Sequence, residues 1–87
     1  MSLEQKRFEY QVCYGIVDRV TFANGSWLGA DIPEEKRKQE DFLTCPLMWE
    51  FLERAGSHGW ELVTVLETPA QARTGVVRTY FLQREAS

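Results

Sequence analysis

His58 is the only histidine in the chain, and Glu61 follows it by three residues. A histidine and a carboxylate at that spacing can share a proton and act as a general acid and base. No nucleophile or orienting group stands near them in the sequence, so the preferred reading is structural: a histidine near a helix C-terminus, where the helix dipole favours it. Cys13, Cys45 and His58 are the soft metal ligands available. Their spacing fits no zinc pattern, and no metal site is expected. Cys45 falls at the start of a helix, where a thiol can ionise more easily, but a small buried side chain is the commoner role for such a cysteine. Two cysteines are too few for a disulfide framework. Gly56-Ser57-His58-Gly59 follows a helix and lacks the lysine of a phosphate loop. Three tryptophans, Trp27, Trp49 and Trp60, are large amphipathic rings suited to a core, an interface or a ligand pocket. No catalytic residue and no cofactor is implied. The candidate ligand-binding set is Trp49, His58 and Trp60.

These residues need elements to hold them. FEYQVCYGI over residues 8–16 alternates, with Phe8, Tyr10, Val12, Tyr14 and Ile16 on one face. The spacing predicts a strand over 7–15 that extends toward 23. Asn24-Gly25 suits a type I′ hairpin turn, and a second strand is expected over 26–30. The 31–44 segment, DIPEEKRKQEDFLT, mixes both charges and reads as a solvated loop or short surface helix. Thr44 as a cap and Pro46 in the first turn open a helix over 46–57. Its apolar side is Leu47, Met48, Phe51, Leu52 and Ala55. WELVTVLE, residues 60–67, and VVRTYFLQR, residues 76–84, have strand propensity, with a polar turn over 67–75 between them.

The expected architecture is α+β in the order β-β-α-β-β, an antiparallel sheet with one amphipathic helix packed on one face. The chain of 87 residues fits one domain spanning 1–87. Phe8, Tyr10, Val12, Leu47, Phe51, Leu52, Ala55, Trp60 and Leu62 are the expected core. Strict alternation puts Val63 and Val65 on the face opposite Leu62 and Leu66, and Val77 and Phe81 opposite Tyr80 and Leu82. Both faces of this part of the sheet are therefore apolar, and one helix covers only one. Val63, Val65, Val77 and Phe81 form the candidate interface.

An N-terminal FEYQV, a central GWELV at 59–63 and a C-terminal YFLQR at 80–84 together resemble a small bacterial family, the domain of unknown function 4177. The resemblance implies the α+β fold and assigns no catalytic residues. The net charge of −3 disfavours nucleic acid as a partner, since no basic stretch lacks interleaved acids. No run of about 20 apolar residues exists to span a membrane. MSLEQKRFEY holds no apolar signal core, so a cytoplasmic location is expected. The leading expectation is a non-catalytic, homo-oligomeric interaction module, a dimer first, with an unidentified protein partner as a further option. The rival is a small-molecule-binding domain or minor enzyme with its pocket between helix and sheet.

Overall fold

The computed structural model describes residues 6–69 and 76–86. Among the described residues, five strands and one α-helix make an α+β fold with an antiparallel sheet. The strands are β1 (Phe8–Ile16), β2 (Arg19–Ala23), β3 (Ser26–Trp27), β4 (Glu61–Pro69) and β5 (Val76–Glu85), and the helix is α1 (Met48–Ser57). Their order in the sheet is β3-β2-β1-β5-β4. Three strands precede the helix where two were expected. The expected turn over 67–75 lies largely outside the described residues.

The extra strand comes from a turn at Val17-Asp18, with Ile16 paired to Arg19. Val17 takes φ +57°, an unusual conformation for a β-branched residue. Its N–H donates to the Val76 carbonyl at 3.2 Å, and the Arg78 guanidinium donates to its carbonyl. The Asn24-Gly25 turn is where the sequence places it, with φ +48° and +83°. Asn24 Oδ1 also accepts the Val12 N–H at 2.8 Å.

The helix starts later than expected because residues 46–47 are engaged elsewhere. Leu47 bridges Arg19 of β2. The Val20 N–H donates to the Pro46 carbonyl at 3.0 Å, and the Met48 N–H to the Asp18 carbonyl at 2.7 Å. Thr44 does not cap α1. It accepts the Ala30 N–H at 2.8 Å and donates to the Asp41 carbonyl at 2.7 Å. The far end of α1 closes through a Schellman motif: the Trp60 N–H donates to the Ala55 carbonyl and the Gly59 N–H to the Gly56 carbonyl, both at 3.0 Å. Gly59, at φ +89°, is the left-handed residue this closure requires.

The core differs from the one the alternation of β1 suggests. Phe51 and Ala55 pack with Cys13, Val20, Tyr80 and Leu82. Cross-strand partners share a face. Cys13 pairs with Tyr80 and Gln11 with Leu82, so the core lies on the small-residue side of β1. Phe8 and Tyr10, expected in the core, are exposed, and so is Leu62. The reason is room. The Tyr80 ring lies across Gly15, where an added Cβ would sit 3.1 Å from Tyr80 Cε2 and 2.6 Å from the Arg19 carbonyl oxygen.

Residues 31–44 form two short 3₁₀ turns, Glu34–Lys36 and Gln39–Thr44. They stay near β3: the Arg37 guanidinium sits 4.6 Å over the Trp27 ring. Leu43 of this segment is itself exposed.

Candidate functional site

The structure offers two candidate sites, on opposite faces of the sheet. On the helix side is a cavity of about 560 Å³, bordered by Gln11 of β1, Leu28, Phe51 and Arg54 of α1, His58 and Trp60. Pockets for small molecules fall in this size range. The Trp60 wall is firmly placed. Its N–H closes the helix, and the Arg84 guanidinium stacks 4.4 Å from its ring centroid. Arg84 is in turn fixed by both carboxylate oxygens of Glu9, at 3.3 Å, and by the His58 carbonyl at 3.0 Å. His58 uses Nδ1 toward the Arg54 carbonyl at 2.9 Å. That bond makes Nδ1 the protonated nitrogen of the neutral ring and leaves Nε2 as an acceptor. Its ring partners are Arg54 and Ser57 rather than Glu61.

Of the three residues read as ligand-binding, His58 and Trp60 meet at this cavity. Trp49 does not. It is 58% exposed and borders a separate shallow depression with Glu53 and Ser57. It lies on the outer side of α1. Gln11 and Arg54 were not anticipated. Gln11 falls on the polar side of the β1 alternation, the side that turns out to face the helix.

The second site is the opposite face. Register aligns Trp27, Phe22, Tyr14, Thr79 and Leu66 in one row across all five strands. Beside it lie Val12 with Phe81, and Ile16 with Val77. Of the expected interface residues, Val77 and Phe81 are here. Val63 is here too, as the extra residue of a bulge between Leu62 and Thr64, opposite Phe81. Val65 is not. The bulge shifts the alternation, so Val65 pairs with Tyr80 and packs against the core. Leu66 takes its place on this face. Phe8, Tyr10, Tyr14, Ile16, Val63 and Leu66 are 38–64% exposed. With aromatic side chains of about 150–250 Å² each, that is on the order of 500 Å² of open apolar surface.

Both cysteines are buried and free. Burial pushes the Cys13 thiol up to about 11. Burial also raises Cys45, partly opposed by the charges of Arg19 and Arg37, so the helix-start position does not make it a ready thiolate. The Cys13 shift has a measurable consequence. A thiol that ionises near 9.0 when unfolded and near 11 when folded contributes stability that is full below pH 9 and is lost as pH rises toward 11. The loss is about 1.4 kcal/mol per pH unit in that window. Urea midpoints between pH 8 and 10.5 are expected to fall more steeply for the native chain than for Cys13→Ala; equal slopes would contradict this assignment.

Among the described residues, no three His, Cys, Asp or Glu side chains gather as a metal site, and no helix is long and apolar enough to cross a membrane. No family model, curated protein or solved structure matches the chain. The likeness carried by FEYQV, GWELV and YFLQR therefore stands on those residues alone.

Proposed function

We propose that this chain is a non-catalytic, homodimeric interaction module in which α1 covers one face of the sheet and a second copy covers the other. The observation that carries this reading is the open apolar face that holds Phe8, Tyr10, Tyr14, Ile16, Val63 and Leu66. Its exposed surface, on the order of 500 Å², is at the upper end of what monomers expose in one patch. A standard interface buries about 800 Å² per partner, and homodimer interfaces are about 65% apolar. The two amounts agree.

A second copy fits better than an unrelated occupant because the missing cover bears on folding itself. Among the described residues the buried apolar core is small: Cys13, Val20, Cys45, Phe51, Ala55, Tyr80 and Leu82. Two of these are cysteines and one is alanine, which is little for a domain of this size. A layer needed for stability must be present wherever the chain is, and another copy always is. Two-fold pairing of identical patches closes the assembly.

Face-to-face packing is favoured over strand addition at the edge. β4 is an edge strand, but its bulge at Val63 and its terminal Pro69 interrupt the pattern a new strand would need. Leu66→Glu tests the reading. It is expected to yield a folded monomer, and an unchanged assembly would overturn the proposal.

A further inference from the structure

We propose that Asn24 is a self-modification site: it loses its side-chain amide as ammonia through a succinimide formed with the Gly25 nitrogen, and the fold admits this reaction only when the β2–β3 turn opens. Asn24 is the only asparagine in the chain, and glycine follows it. Both residues are exposed. Nothing lies within 4 Å of where a Gly25 Cβ would stand, and the Gly25 N–H has no hydrogen-bond partner among the described residues. Solvent therefore reaches the nucleophile. The Gly25 nitrogen gives its proton to hydroxide and attacks Asn24 Cγ. The N–Cγ bond forms, the Cγ–Nδ2 bond breaks, and ammonia leaves with a proton taken from water. A second water opens the five-membered ring at one of its two carbonyls. One opening leaves aspartate. The other leaves isoaspartate, in which the main chain runs through Cβ.

The native turn holds the reacting atoms apart. Ring closure needs Cβ and the Gly25 nitrogen on the same side of the Asn24 Cα–C bond. In the left-handed conformation of Asn24, at φ +48°, they stand on opposite sides. Two bonds to Val12 keep that conformation: Asn24 Oδ1 accepts the Val12 N–H, and the Asn24 N–H donates to the Val12 carbonyl, both at 2.8 Å. The strand beyond the turn, Ser26–Trp27, is held to β2 by two residue pairs, so the sheet opens here at low cost. The two products differ in effect. An aspartate carboxylate still accepts the Val12 N–H, and aspartate tolerates the left-handed region. Isoaspartate adds a main-chain carbon to a two-residue turn, which its tight geometry does not accommodate. β3 then loses its register with β2. Trp27 holds the neighbouring segment through its indole N–H, which donates to the Ala30 carbonyl at 2.8 Å, and through the Arg37 guanidinium over its ring. Isoaspartate at 24 releases that hold irreversibly. None of this rests on self-association.

The test ages the full chain at mildly alkaline pH, once folded and once in guanidinium chloride at matched ionic strength. Intact mass reads amide loss, and labelling by an isoaspartate methyltransferase reads the β-linked product. With one asparagine in the chain, a mass gain that brings the label with it reports residue 24. The folded chain is expected to convert about tenfold or more slowly than the denatured chain, because only its open turns react. Leu52→Ala weakens the packing of α1 away from this turn and should leave the folded rate unchanged. Folded chains that carry isoaspartate should shift the indole N–H signal of Trp27 while those of Trp49 and Trp60 stay in place. Asn24→Asp, examined fresh, should keep the native Trp27 signal. Equal rates in the folded and denatured samples would overturn the proposal, as would an absence of conversion in denaturant. A faster folded rate in Leu52→Ala would place the reaction in global unfolding and overturn the local opening. Isoaspartate with an unshifted Trp27 signal would overturn the release of β3.

Discussion

Leu66→Glu is expected to weaken self-association by about a thousandfold or more while leaving the chain folded. Leu66 is 56% exposed on the apolar face, so a glutamate there remains in water as long as the chain is alone. In a two-fold assembly the substitution appears twice, and each buried, unpaired carboxylate costs several kcal/mol. At 1.4 kcal/mol per tenfold, even about 4 kcal/mol suffices for the stated loss. Tyr14→Glu, in the same row, should behave alike. Trp49→Glu is the contrasting change: Trp49 is equally exposed but lies on α1, away from this face, and it should leave the assembly intact. A shared response of Trp49→Glu and Leu66→Glu would point to general stickiness and not to a defined face. If residues 31–44 were the cover, Leu66→Glu would unfold the chain, but those residues sit at the Trp27 end of the sheet.

Phe51→Ala is the largest expected loss of stability, about 3–5 kcal/mol. Phe51 is the one large aromatic that α1 contributes to the core, where it meets Cys13, Val20, Tyr80 and Leu82. Small domains hold only about 0.05–0.15 kcal/mol per residue, so this loss removes much of the total. Urea unfolding at matched chain concentration reads it, since association adds to apparent stability. Leu52→Ala, at a partly buried neighbour, should cost less. A Phe51→Ala loss below about 1 kcal/mol would contradict the packing of α1 described above.

Several elements were legible because their signals are local. The Asn24-Gly25 turn needs positive φ at two successive positions, and that pair of residues supplies it. The helix was recognisable from Met48, Phe51, Leu52 and Ala55, and its stop from the pair Gly56 and Gly59, of which Gly59 takes the positive φ. What alternation alone could not decide was which face of β1 meets the helix. Both faces can be buried, and the larger apolar one, with Tyr10 and Tyr14, looked like the core. Room around Gly15 and Cys13 reversed that choice. The turn at Val17-Asp18 carries no glycine or asparagine in the left-handed position, so tertiary bonds from Arg78 and Val76 hold what local propensity would not. The bulge at Val63 likewise has no sequence mark, and it exchanged Val65 for Leu66 on the open face. The cavity was half legible. Trp60 and His58 were read from their types, whereas Gln11 joins them only through the register of β1 with β5.

Sedimentation equilibrium of the native chain at micromolar concentration tests the central claim most directly. The open row through Tyr14 and Leu66 predicts a species of twice the 10.1 kDa chain mass, dissociating on dilution and absent for Leu66→Glu. A single 10.1 kDa species across the micromolar range would contradict it.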